Sequence, residues 1–182
     1  MHIIKRLLLV IVVFITIMLV VALFLKNDYV VERQIVINQP STKVYNYIKY
    51  LKNQDHFSIW NQLDPNMKKS YKGTDGTVGF IAAWESTSDS VGVGEQEIMK
   101  LEEGKRVDTQ LRFKTPFESK NNAYLITDDL GNNQTRVKWG FTGTMPYPMN
   151  LMNLFFNMDE AVGGDFETGL KNLKIVLEKT EN

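Results

Sequence analysis

The sequence predicts an α+β fold in which a curved antiparallel sheet of about six to seven strands wraps around a long C-terminal helix, after one N-terminal transmembrane helix. Three observations predict it: an uncharged apolar run near the start, a series of short strand-like segments joined by turns, and a final stretch with helical periodicity. An antiparallel sheet must cover one face, and a single helix cannot fill its whole concavity. We therefore expect a cavity between sheet and helix.

The first element is an apolar run over residues 7–25 that contains no charged residue. At 1.5 Å rise per residue this helix would span about 28 Å, close to the ~30 Å hydrocarbon core of a bilayer. The run is longer than the apolar part of a signal peptide, and no small-residue cleavage site follows it. We expect residues 1–28 to be an uncleaved anchor and residues 29–182 to form one domain.

The charges that flank the anchor predict its orientation. Lys5 and Arg6 precede the apolar run, whereas Lys26 is followed by Asp28. Because the more positive side stays in the cytoplasm, the N-terminus is expected inside and the domain on the outer (periplasmic or extracellular) side of a single-pass membrane protein.

Composition excludes several classes of function. Lys plus Arg and Asp plus Glu both total 21, so no basic excess suggests a nucleic-acid partner. The chain has no Cys, which removes disulfides and thiol chemistry, and only two His, so we expect no metal site and no cofactor. A Ser-His-Asp mechanism would have to use His56, since His2 precedes the domain.

The domain begins with a strand, continues through two short helical segments and then forms an antiparallel meander. Ser41 is the expected N-cap of the first short helix. The predicted strands are residues 29–37, 68–71, 78–84, 93–101, 106–113, 117–127 and 134–144, and the predicted helical segments are residues 44–51, 55–60 and 148–177.

The C-terminal helix carries one stripe of residues spaced by three and four, as expected for a face that packs on a core. The stripe is Met152, Phe155, Asp159, Val162, Phe166, Gly169, Leu173 and Val176. Gly163 and Gly164 indicate either a bend or a close approach to the sheet.

Three segments resemble the START-like superfamily, also called SRPBCC or polyketide cyclase-like: residues 111–117 (LRFKTPF), residues 135–139 with Gly143, and residues 158–170 (MDEAVGGDFETGL). The resemblance covers residues 29–180 and implies the helix-grip fold with a deep apolar cavity for lipids, polyketides, hormones or other hydrophobic molecules. It implies no catalytic residue, because no shared motif maps onto this chain, although a minority of members are cyclases or dehydratases.

The candidate cavity residues come from strand alternation and from the helix stripe. The alternative to a place in the cavity wall is ordinary packing in the core. The candidates are Phe80, Trp84, Trp139, Phe141, Met149, Met152, Phe155, Asp159 and Phe166. Asp159 is the anomaly, because a carboxylate on the inward side must be paired or protonated. It is expected to orient a ligand or act as an acid–base group of raised pKa, to pair with an Arg or Lys such as Arg112, or to be exposed at a bend of the helix.

Three functions follow from these features. The first is a membrane-tethered binding or carrier domain for a hydrophobic small molecule or lipid. The second is a cyclase- or hydratase-type enzyme on an apolar substrate, which needs at least two converging polar groups. The third is a structural interaction module of the envelope, which a collapsed interior would favour.

Overall fold

Seven antiparallel strands form one sheet in the order β1-β7-β6-β5-β4-β3-β2 in this computed structural model, which describes residues 2–179. The elements are α1 (His2–Ala22), β1 (Asp28–Ile37), α2 (Ser41–Ile48), a first 3₁₀ helix (Leu51–His56), α3 (Trp60–Leu63), β2 (Lys68–Lys72), β3 (Ile81–Glu85), β4 (Val93–Glu102), β5 (Arg106–Thr115), β6 (Ser119–Gly131), β7 (Gln134–Thr144), a second 3₁₀ helix (Met149–Leu154) and α4 (Met158–Glu178). The sheet and the long final helix confirm the predicted α+β fold.

The strand register defines two ends of the sheet. At one end, Asp28 pairs with Thr144, and the turn between β5 and β6 lies at the same end. We call this end, which lies next to α1, the anchor end after the predicted anchor. At the far end, β6 and β7 meet in a tight turn through Asn132 and Asn133, both with positive φ. Asn tolerates that left-handed conformation better than most residues. The chain therefore enters and leaves the sheet beside α1.

The inner face of the sheet buries the core against α4 and α2. Helix α4 lies mainly along β1, and α2 packs on β6 and β7. The fully buried residues of this core include Val31, Ile37, Val44, Tyr45, Ile48, Phe57, Val137, Leu170 and Leu173. A smaller cluster joins Leu51 of the first 3₁₀ helix to Phe80 and Ile98.

The outer face carries charged pairs instead. Arg112 contacts Glu95 at 2.6 Å and Glu97 at 2.8 Å, and the Tyr124 hydroxyl donates to Glu32 at 2.5 Å. Alternation along each strand puts these residues opposite the core. The strand pattern thus separates an apolar inner face from a charged outer face.

Side chains of β1 and α4 cover two carbonyls of β1, which is an edge strand. Lys174 Nζ donates to the carbonyl of Val36 at 2.8 Å, and Arg33 Nη1 donates to that of Glu32 at 2.9 Å. At the other edge, every residue of β2 is exposed, and three of its five residues are lysines.

Three predicted boundaries require correction. The expected helix over residues 148–177 is two helices, because the Asn157 side chain accepts from the Asp159 amide and begins α4 separately. Ser41 does not cap α2; its hydroxyl lies 3.4 Å from Asp129, and Pro40 precedes the helix. Strand β3 begins at Ile81, since Gly79 adopts a φ of +86° that ends the preceding turn.

Helix α1 is long and apolar enough to cross a membrane over Ile3–Ala22, by a length and composition test that an N-terminal signal sequence also passes. Its apolar side chains, such as Leu9 and Phe14, are more than half exposed in the protein. The helix ends three residues before the predicted Leu25, where residues 23–25 turn toward β1.

Candidate functional site

The anchor-end half of the inner face carries apolar residues that are only half-buried. Trp84 on β3 and Leu111 and Phe113 on β5 point to this face, and each keeps part of its surface open. The main helix packing falls elsewhere, on β1, β6 and β7. We call Trp84, Leu111 and Phe113 the open apolar surface.

Trp84 is fixed in place by its neighbours. Its ring meets Phe113 edge-on at 5.7 Å between centroids, and its indole N–H donates to the carbonyl of Val91 at 3.3 Å. The ring lies across Gly94, where an added Cβ would come within 2.7 Å of it. Because Gly94 has no side chain, the Trp84 ring can lie over β4 and contact Phe113 on β5.

Polar groups border this surface. The Tyr29 hydroxyl donates to Asn121 Oδ1 at 3.2 Å, across Gly143, and Gln96 Nε2 donates to Thr109 Oγ1 at 3.0 Å. Burial raises the pKa of Tyr29, so its hydroxyl keeps its proton at neutral pH. These neutral groups suit the polar end of an otherwise apolar ligand.

The other half of the inner face is closed. Trp139 stacks on Phe166 at 4.9 Å and meets Phe57 and Trp60 edge-on at 5.5 and 6.0 Å. The enclosed cavity beside Trp139 measures about 10 Å³, room for about one water molecule. Beside Trp139, aromatic side chains therefore fill the space between the sheet and α4 where a large cavity was expected.

The candidate residues consequently fall into four places. Trp139, Phe141, Phe166 and Phe80 belong to packed clusters, and Trp84 belongs to the open apolar surface. Met149, Met152 and Phe155 lie on the outside of the domain, 55, 46 and 83 % exposed. Asp159 lies at the start of α4 with a side chain that is 48 % exposed.

Asp159 pairs with Arg33, so the prediction of Arg112 as its partner is wrong. Arg33 Nη1 and Nη2 donate to its two carboxylate oxygens at 2.7 and 2.9 Å, and Arg33 Nε donates to Glu167 at 2.9 Å. The guanidinium fits against Gly163, where an added Cβ would lie 2.1 Å from Nη2. Gly163 therefore marks a close approach of α4 to the sheet, and α4 is continuous through it.

The hydrogen bonds from Arg33 hold the pKa of Asp159 below its ordinary value, with burial opposing in part. A lowered pKa means that the ionised form stabilises the fold above the unfolded-state pKa, and that this contribution is lost as the pH falls through the folded-state pKa. Carboxyl ¹³C NMR titration is expected to find Asp159 ionised throughout the neutral range. Arg33→Met is expected to return the pKa toward the ordinary value, and Arg112→Met, on the outer face, to leave it unchanged. A midpoint near neutrality in the unsubstituted chain would restore the acid–base interpretation.

Two further places on the domain bring polar side chains together. An open surface depression of about 570 Å³ runs between β1 and α4, and its lining mixes the charged Glu32, Arg33, Glu167 and Lys171 with Gln34, Ile35 and Leu170. His56 Nδ1 lies 2.8 Å from the Tyr47 hydroxyl at an exposed position. Residues 2–179 hold no group of three or more His, Asp or Glu suited to a metal ion.

Sequence reasoning did not single out Leu111, Tyr29 or Arg33 as site residues. Strand alternation signals all three: Leu111 shares its phase with Phe113, and Arg33 lies between Val31 and Ile35 in the inward phase. A cation in an inward phase requires a carboxylate partner. Asn150, described below, has no such local signal.

Comparison with solved structures gives the helix-grip fold. Norcoclaurine synthase from Thalictrum flavum, in complex with dopamine and hydroxybenzaldehyde, matches with a TM-score of 0.62 and 9% identity over 86% of this chain and 90% of that one. Ara h 8.0201 matches at 0.56 with 13% identity over 84% and 99%, and the Aha1 dimer from Colwellia psychrerythraea at 0.56 with 16% identity over 85% and 99%. No family model and no curated protein matches the chain. At these identities the comparisons establish the fold.

Proposed function

We propose that this protein is a membrane-tethered binding or carrier domain for a hydrophobic small molecule or lipid, with the ligand on the open apolar surface. The observation that carries the proposal is the half-buried set of Trp84, Leu111 and Phe113 on the inner face, bordered by neutral polar groups. Apolar walls with a few placed polar groups are typical of small-molecule sites.

The place of the open apolar surface supports the tether. Only residues 23–27 separate α1 from β1, and Trp84 and Phe113 lie toward the anchor end of their strands. With α1 in a bilayer, this end of the domain faces the lipid headgroups. We propose the outer side of the membrane for the domain, as the flanking charges predict. Protease protection of the domain in intact cells would contradict that side.

The fold also supports an enzyme, since one of the similar structures is norcoclaurine synthase. Acid–base catalysis needs a group whose pKa lies near the working pH. Asp159 is half exposed, is bound by Arg33 and has a lowered pKa. The groups beside the open apolar surface, Tyr29, Asn121 and Gln96, are neutral. Binding is therefore better supported than catalysis. The closed half of the inner face around Trp139 favours the third candidate, a structural interaction module, for which the experiment below would find no labelling of β3 and β5.

Photo-crosslinking tests the ligand site in the full chain. Vesicles containing a diazirine-bearing fatty acid are illuminated, and the modified peptides are mapped by mass spectrometry. We expect modification of β3 and β5 at inward residues in addition to α1. Leu111→Glu places a charge on the apolar wall and is expected to abolish the labelling of β3 and β5.

Gln110→Glu is the matched control, because Gln110 is the neighbouring residue on the same strand and faces outward beside Arg112. It is expected to leave the labelling intact. Labelling confined to α1, or labelling of β5 that persists in Leu111→Glu, would refute the binding site while leaving the anchor untouched.

A further inference from the structure

A band of exposed apolar residues surrounds the place where α1 leaves the domain. Phe24, Phe117 and Phe155 are 84, 80 and 83 % exposed. Exposed aromatic residues grouped in this way differ from the single apolar residues that are scattered over the surfaces of soluble proteins. Residues 139–158 contain no charge over twenty positions. The band also includes Met149, Met152, Leu154 and Phe156, each close to half exposed.

Asn150 fixes this band to the end of α1. Its Nδ2 donates to the carbonyls of Ala22 and Leu25 at 2.7 and 3.3 Å and to Asn27 Oδ1 at 2.9 Å, and Asn150 is 1 % exposed. Asn153 Nδ2 adds a bond to the carbonyl of Lys26 at 3.2 Å. The second 3₁₀ helix therefore sits at the level where α1 ends, and the domain is docked on the helix.

The β5–β6 turn extends the band along the same end of the sheet. Phe117 is the aromatic residue of this exposed turn, next to Glu118, and Lys114 and Lys120 flank it with exposed side chains. Lys26 lies in the short segment 23–27 between α1 and β1. Aromatic residues beside lysines are characteristic of the zone between hydrocarbon and water.

We propose that residues 149–156 and the β5–β6 turn enter the headgroup zone of the bilayer that α1 spans, as a second and third point of contact. The proposal rests on the membrane anchoring in the proposed function. A lipid surface is the occupant that the geometry favours over a protein, because the band is continuous with the apolar helix. Three contacts fix the tilt of the domain and direct the open apolar surface toward the bilayer.

Single nitroxide labels test this in the full chain, which has no native Cys to interfere. The variants Phe117→Cys and Phe155→Cys carry the test labels, and Ile11→Cys reports on α1. Val78→Cys is the control, an apolar residue 61 % exposed in the turn between β2 and β3, at the end of those two strands that points away from the anchor end. Each labelled chain is reconstituted in phosphatidylcholine vesicles. The accessibility of the label to apolar O₂ and to a water-soluble nickel chelate is then measured by electron paramagnetic resonance.

We expect the O₂-to-nickel accessibility ratio at positions 117 and 155 to exceed that at position 78 several-fold, and the ratio at position 11 to be larger still. Ratios at 117 and 155 equal to the control, with position 11 immersed, would overturn the bilayer contact and leave the anchor standing. Labels at 117 and 155 shielded from both reagents would mean that protein covers the band, which also overturns it. A water-exposed label at position 11 would overturn the anchor and this proposal together. Ligand binding is tested separately, by comparing the photo-crosslinking of β5 in Leu111→Glu with that in Gln110→Glu.

Discussion

Trp139→Ala is expected to lower the free energy of unfolding by about 3–5 kcal/mol, the usual cost of removing a fully packed aromatic side chain. Trp139 is 5 % exposed and contacts Phe166, Phe57 and Trp60 through their rings. Its loss leaves a void that three aromatic neighbours on separate elements cannot close together. Urea denaturation of the full chain in detergent micelles, followed by far-UV circular dichroism, measures the change.

Trp84→Ala is the matched comparison for this prediction. Trp84 points to the same face of the sheet but is half-buried and contacts Phe113 as its aromatic partner. Its removal deletes fewer contacts and leaves a surface groove instead of an enclosed void, so we expect a clearly smaller loss. Equal losses for the two variants would mean that the anchor-end half of the inner face is as tightly packed as the core.

Gly169→Ala and Gly164→Ala are expected to change stability in opposite directions. A Cβ at Gly169 would lie 2.7 Å from Trp139 Cζ3, and that ring is held on its other sides. Overpacking of this kind typically costs about 1–3 kcal/mol. At Gly164 an added Cβ meets nothing within 4 Å, so alanine gains its helix propensity of about 0.5–1 kcal/mol.

The same denaturation experiment measures the stability of both variants. Because the two glycines lie in one helix, the effect of alanine on helix propensity is similar at both positions, and the difference between the variants reports on side-chain contacts. A stabilising Gly169→Ala would contradict the tight contact between α4 and Trp139. A destabilising Gly164→Ala would indicate that an outside face of α4 is covered in solution.

Strand alternation made the sheet predictable from the sequence. The bounds of β7 coincide with the predicted residues 134–144, and Phe80, Ala82 and Trp84 share a face as expected. The same alternation contains the signal against Arg112 as a partner for Asp159, which the prediction overlooked. Arg112 lies between the inward Leu111 and Phe113 and so points outward. Local periodicity thus determines the face of a strand residue wherever the strand is regular.

Long-range packing and the ends of the helices were harder to predict from the sequence. Met149, Met152 and Phe155 are spaced by three, which suits a 3₁₀ helix as well as an α-helix, so the break before Asn157 was hidden in the apolar stripe. The collapse of the interior around Trp139 depends on ring contacts from three elements distant in sequence. Asn150 bonds to α1 across more than 120 residues, and no local pattern encodes that contact.

The covered carbonyls of β1 and the lysines of β2 affect how copies of this protein meet one another at high concentration. Proteins confined to one bilayer meet side-on in two dimensions, where an unprotected sheet edge would invite strand exchange between neighbours. Lys174 and Arg33 occupy acceptors on one edge, and Lys68, Lys69 and Lys72 charge the other. Anchored to a membrane as proposed, the domain can therefore reach a high density without its sheets joining into a continuous ribbon.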